Sequence, residues 1–82
     1  MLMIKRKKAK SGEEFYFHNG AIAETKAQLV SQLKKLTHEE FLSYVNDQKN
    51  DVYNWLRDCI DSELAKKIKN VRDQQKLITM LQ

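Results

Sequence analysis

The sequence contains no proline, two glycines and a single cysteine. One cysteine excludes an internal disulfide, and together with two histidines it leaves too few soft ligands for a four-ligand zinc site. No run of about 18 apolar residues is present, so no membrane-spanning helix is predicted, and the short apolar start at residues 1–4 does not resemble a signal peptide. We therefore expect a cytoplasmic protein with no cofactor and no membrane partner.

What the chain does contain indicates one small folded domain. Its 82 residues are 41% apolar and 32% charged, a balance that is typical of globular proteins. A core of this size contributes little stability, and disulfides and metals are excluded as supports. Stability must therefore come from helix packing or from self-association.

The positive charge is concentrated at one end of the chain. Five of the fifteen bases lie in residues 1–10 without any acid, so the rest of the chain carries ten bases and eleven acids. We expect residues 1–12 to form a flexible basic arm and residues 13–82 to form the globular domain. Such an arm favours phosphates through counterion release, and the alternative is a solvated terminus. Its bases are Lys5, Arg6, Lys7, Lys8 and Lys10.

A β-hairpin is predicted directly after the arm. Residues 13–17 form a short run with aromatic residues, in which Phe15 and Phe17 fall on one face and Tyr16 and His18 on the other, as expected of a strand that is covered on one side. Asn19-Gly20 is a strong signal for a two-residue type I′ turn, in which both central residues have positive φ. Residues 21–23 return as the second strand. The core side chains expected from the hairpin are Phe15, Phe17 and Ile22.

Helices follow the hairpin, and their starts are marked by capping residues. One helix opens at Glu24-Thr25, a second at the capping box formed by Thr37 and Glu40, and a third at Asn50. Asp61 or Ser62 caps a last helix of about 18 residues. The sequence therefore predicts a mostly helical α+β domain in which a short N-terminal hairpin packs on three to four helices, with Trp55 in the core.

The last predicted helix carries two kinds of residue with functional potential. Lys69, Arg72 and Lys76 share one face and extend the basic surface of the arm. The apolar stripe of the same helix runs beyond the reach of a small core, so a second copy or another partner would cover its end. That end consists of Leu77, Ile78 and Leu81.

Two segments resemble a known family. Residues 15–20 (FYFHNG) and residues 50–58 (NDVYNWLRD) resemble a family of small archaeal and bacterial domains of unknown function. Its pattern includes F-x-F-x-x-G, N-D-F-x-N-W-[IL]-x-D-V and a D-x-x-L-A helix start, which matches residues 61–65. The likeness covers about residues 15–69, and the basic arm lies outside it. Tyr44 stands before Val45 where the family often has histidine. The resemblance implies one intact domain and no particular activity.

Other polar residues give little support for catalysis. Asn50, Asp51, Asn54 and Asp58 could form an oxygen-ligand site, but helix capping is the simpler interpretation because the loop spacing of a calcium site is missing. Cys59 lies on an apolar helix face, and His18 and His38 have no partners in sequence. Only Gly12 and Gly20 are available, so a glycine-rich phosphate loop is excluded.

We therefore expect a non-enzymatic binding protein with no small-molecule substrate. The first hypothesis is association with nucleic acid or a ribonucleoprotein through the arm and the basic face of the last helix. The alternative is a protein-interaction or self-assembly module that uses the apolar end of that helix. The two differ in salt dependence, because phosphate contacts weaken steeply as salt rises and apolar association does not.

Overall fold

The computed structural model describes residues 4–82, which form a two-stranded hairpin, five α-helices and one π-helical segment. The mostly helical α+β prediction is confirmed, with one helix more than expected. None of the helices in this range is long and apolar enough to cross a membrane. The elements in chain order are β1 (Phe15–Tyr16), β2 (Ile22–Ala23), α1 (Lys26–Leu33), α2 (His38–Leu42), α3 (Asp51–Trp55), the π segment (Leu56–Ile60), α4 (Ser62–Ile68) and α5 (Gln74–Leu81).

The hairpin has a three-residue loop instead of the predicted type I′ turn. The N–H of Phe17 donates to the carbonyl of Ala21 (2.9 Å), and the N–H of Gly20 donates back to the carbonyl of Phe17 (3.0 Å). Gly20 has a φ of 91°, whereas no non-glycine residue in the described part of the chain has positive φ. A type I turn closed by a left-handed glycine is a common three-residue hairpin loop, so the prediction of positive φ at Asn19 is wrong.

This loop length decides which face of β2 is buried. Phe15 pairs with Ala23 and Tyr16 pairs with Ile22, so Ile22 stands on the outer face beside an exposed tyrosine. Ile22 is 51% exposed, and its assignment to the core is wrong. A two-residue loop would have shifted the register by one residue and turned Ile22 inward, since side chains alternate along a strand. Phe15 and Phe17 are buried as predicted.

Four predicted helix starts are confirmed. The side-chain oxygens of Thr25, Thr37, Asn50 and Asp61 each accept a hydrogen bond from a first-turn N–H of α1, α2, α3 and α4. The capping box is complete, because Glu40 also accepts from the N–H of Thr37 at 2.8 Å. These caps satisfy N–H groups that a helix start leaves free, which explains where the helices begin without any proline.

The predicted 18-residue last helix is wrong, because the chain turns between α4 and α5. Asp73 caps α5 by accepting from the N–H of Lys76 at 2.8 Å. The side-chain amide of Gln74 donates to the carbonyls of Leu33 and Leu36 (both 3.0 Å) and so fixes the start of α5 at the end of α1. The helix therefore folds back on the domain's own core.

This reversal buries the residues that were expected to bind a partner. Leu77, Ile78 and Leu81 are all buried within the chain's own core, where α5 packs against α1. Their assignment to a partner surface is wrong, because a straight helix would have carried them past the core whereas the turned helix covers them. The apolar stripe is thus buried within the chain itself.

Candidate functional site

The basic segment, defined here as residues 4–10, is attached to the domain and is not a flexible arm. The carbonyl of Ile4 accepts from the N–H of Ser62 (2.8 Å), the N–H of Arg6 donates to the carbonyl of Ile60, and Lys5 forms an isolated bridge with Asp61. Further along, Ala9 is buried, and its N–H donates to a backbone carbonyl at 2.8 Å. The prediction of a free arm over residues 1–12 is therefore wrong from Ile4 onwards, and residues 1–3 lie outside the described part.

The attachment has a local cause in the π segment. The π segment ends with the N–H of Asp61 donating to the carbonyl of Leu56 at 2.7 Å. The last carbonyls of a helix have no intrahelical donor, and here the extended backbone at Arg6 supplies one to Ile60. The segment therefore lies on the domain through backbone hydrogen bonds, although its charges favour an extended arm. The free arm was predicted from the charge of the segment alone.

Two of the five bases in the segment are neutralised by nearby acids. Arg6 pairs with Glu13 at 3.7 Å, and Lys8 pairs with Glu24 at 3.0 Å. Lys5, Lys7 and Lys10 are exposed, and no acid within residues 4–82 forms an ion pair with them. The segment therefore offers three unpaired ammonium groups on a fixed backbone.

Two of these lysines line an open cleft between the basic segment and the start of α1. This basic cleft has a volume of about 460 Å³, which is within the range of small-ligand pockets. Its only acid is Asp61, whose Oδ1 already accepts from two N–H groups of α4, each at 3.1 Å. The lining residues are Lys5, Arg6, Lys7, Thr25, Lys26, Ala27, Ile60 and Asp61.

Lys26 belongs to this site and was missed by the sequence reasoning. It is the first residue of α1, which has no acid in its first turn, and it forms no ion pair within the described residues. A base at this position is unfavourable, because the positive end of the helix dipole lies there. A lysine directly after the capping threonine was the available signal. The backbone N–H groups of Lys26 and Ala27 also have no acceptor within residues 4–82.

The C-terminal bases do not join this site. Lys69 follows the end of α4, Arg72 lies in the connection, and Lys76 lies in the first turn of α5, so the single helix face predicted for them does not exist. Arg72 pairs with Asp47 at 2.9 Å. The basic cleft lies at the start of α4, so that seven-residue helix, roughly 10 Å long, lies between the cleft and the backbone of Lys69.

The other candidates have structural roles. Asn50 caps α3, and Asp58 pairs with Arg57 at 2.8 Å, which lowers the pKa of that carboxyl. Burial, with the nearby charge of Glu13, raises the pKa of the half-buried Cys59 thiol, the opposite of what a nucleophile needs. In the described part of the chain no three His, Cys, Asp or Glu residues lie close enough to hold a metal ion.

A second cavity, of about 270 Å³, lies beside α1 and α5. Lys26 is the only charged side chain in its lining, which otherwise consists of Ala27, Val30, Leu81 and Gln82. Because it offers a single cation, this cavity is a weaker candidate than the basic cleft. The basic cleft combines three unpaired lysines with the free N–H groups of Lys26 and Ala27, whereas the second cavity, which these two residues also line, offers a single cation.

Comparisons of the chain with protein-family models, with curated proteins and with solved structures find no match. The likeness to the family of small archaeal and bacterial domains therefore stays a prediction from its motifs.

Proposed function

We propose that this protein is a non-enzymatic binding protein that associates with nucleic acid, free or within a ribonucleoprotein, through its basic segment. The observation that carries the proposal is the attachment of residues 4–10 to the domain, which holds Lys5 and Lys7 on a fixed backbone without an acidic partner. A fixed row of cations is suited to phosphates, because less conformational entropy is lost when the ligand binds.

The proposal differs from the sequence-based hypothesis in its extent. The proposed interface does not include Lys69, Arg72 and Lys76, since the turn before α5 separates them from the basic segment. The self-assembly alternative is not retained, because the residues that carried it are buried in the chain's own core.

A salt series tests the proposal. Binding of the whole protein to a labelled RNA strand and to a DNA duplex is followed by fluorescence anisotropy from about 50 to about 300 mM salt. We expect the logarithm of the association constant to fall linearly with the logarithm of the salt concentration. The double variant Lys5→Gln/Lys7→Gln should reduce that slope by about 1.4–1.8, since each lost phosphate contact contributes about 0.7–0.9.

The matched control is Lys69→Gln/Lys76→Gln, which removes the same charge at the end of α4 and in the first turn of α5. We expect its slope to equal that of the parent. No binding at the lowest salt, where phosphate contacts are strongest, would refute the proposal. An equal loss in both double variants would show that binding depends on net charge alone, and would rule out the basic segment as the interface.

A further inference from the structure

We infer that the basic cleft is a binding site for a phosphate monoester, the group that ends a phosphorylated nucleic-acid strand. The inference rests on the proposed function for the source of that group and goes beyond it by assigning a discrete site. It is based on the three lysines of the lining that have no acidic partner within residues 4–82, on two free backbone donors and on the shape of the cleft.

The first argument is the charge of the lining. Lys5, Lys7 and Lys26 face one cleft, and none has an acidic partner within residues 4–82. Like charges around one concavity repel each other, and an anion between them removes that cost. The acid in the lining, Asp61, caps α4 and its charge offsets one of the three lysines, which leaves two positive charges for an anion.

The second argument concerns hydrogen-bond donors that have no acceptor. The N–H groups of Lys26 and Ala27 have no acceptor within the described residues, and both residues line the cleft. The hydroxyl of Thr25 already accepts from Gln28 at 3.1 Å, so the cap leaves these two donors free. An anion above them would accept from both and would lie at the positive end of the α1 dipole.

The third argument is the match in charge and size. A phosphate monoester carries about −1.5 to −2 at neutral pH, whereas a diester within a strand carries −1, so the monoester better balances the charge that the three lysines and Asp61 leave in the cleft. The cleft, at about 460 Å³, also has room for the attached sugar next to the apolar side chains of Ala27 and Ile60. Both walls are held by backbone hydrogen bonds, so the site is formed before the ligand binds.

The experiment compares otherwise identical strands. Affinities of the whole protein are measured for one labelled single strand with a 5′-phosphate, a 3′-phosphate or hydroxyl ends. We expect a terminal phosphate to tighten binding by roughly ten-fold, as a few additional charge-assisted hydrogen bonds would. In two-dimensional NMR spectra, the amide signals of Lys26 and Ala27 should shift on addition of the phosphorylated strand.

Matched variants locate the effect. Lys26→Gln should remove most of the advantage of the phosphorylated strand, measured as the ratio of its affinity to that of the hydroxyl-ended strand in the same variant. Lys8→Gln removes one charge from the same segment, but its lysine is paired with Glu24 and lies outside the lining, so the advantage should persist. A cooperative thermal transition in each variant would show that both are folded.

The outcomes separate the two proposals. Equal binding of phosphorylated and hydroxyl-ended strands would overturn the site and leave the proposed function standing. Shifts at Lys26 and Ala27 with a mononucleotide, in a protein that binds no strand, would support the site and overturn the proposed function. A phosphoserine peptide that binds more tightly than the phosphorylated strand would overturn the assignment to nucleic acid.

Discussion

The indole N–H of Trp55 donates a 2.7 Å hydrogen bond to the backbone carbonyl of Glu13, 42 positions earlier in the chain. The bond ties the start of the hairpin to the end of α3. At the other end of β1, the hydroxyl of Tyr44 accepts from the N–H of His18 at 2.8 Å. Two buried aromatic residues thus hold the hairpin at both ends, which a two-stranded sheet needs because it is marginal alone.

Trp55→Ala should therefore destabilise the protein by about 3–5 kcal/mol, because it removes a core side chain that is only 7% exposed. Its ring packs edge-on against Phe15 with centroids 5.8 Å apart. Trp55→Phe keeps an aromatic ring and loses the hydrogen bond, so it should cost less, with about 1 kcal/mol from the bond itself. Urea denaturation measures both variants, and unaltered stability of the alanine variant would contradict the assigned packing.

Gly20→Val should destabilise the hairpin by about 1–3 kcal/mol, because a β-branched residue is strained at positive φ. An added Cβ would meet no atom within 4 Å, so the cost comes from the backbone alone. Gly20→Asn is the control and should cost less, because asparagine tolerates the left-handed region better. Thermal melting distinguishes the two variants, and equal melting temperatures would argue against backbone strain.

The local signals in the sequence were sufficient for most of the fold. Capping residues act on the N–H groups next to them, so Thr25, Thr37, Asn50 and Asp61 could be recognised without tertiary information. The hairpin was recognisable for the same reason. The sequence could not show on which face of the hairpin Ile22 lies. That face depends on whether the loop has two or three residues, and Asn19-Gly20 fits both loops.

The errors at the two ends of the chain arise from long-range contacts. Asp73 is a good capping residue, but apolar residues recur at helical spacing on both sides of it, which predicts one continuous helix. The helix ends before Asp73 because α5 packs on α1, a contact between residues distant in sequence. The basic segment is attached by backbone hydrogen bonds to residues 60 and 62, which leave no mark on the local sequence. The cleft could not be predicted for the same reason, since its two walls are distant in sequence.

Cys59 should make the protein less stable in alkaline solution. Burial raises the pKa of its thiol above the ordinary value, so the folded state keeps a proton that the unfolded state loses first. Stability from this group is therefore present below the thiol pKa of the unfolded chain, about 8.5, and declines as the pH rises beyond it. Urea denaturation from about pH 7 to about pH 10 should show a shallower decline for Cys59→Ala than for the parent. Parallel curves would show that the thiol is not the cause.

Lys26→Glu should raise stability while it weakens binding. An acid at the first position of α1 interacts favourably with the helix dipole, worth about 0.3–1 kcal/mol, and it removes a cation from beside Lys5 and Lys7. The same reversal at Lys34, the C-cap of the same helix, should lower stability, since the dipole has the opposite sign there. Both effects should shrink at high salt. Melting temperatures of the two variants and their affinity for a phosphorylated strand check the prediction. A destabilised Lys26→Glu protein would show that this lysine stabilises the fold. A stabilised protein that no longer binds the phosphorylated strand would show that Lys26 costs stability at the helix start and contributes to ligand binding.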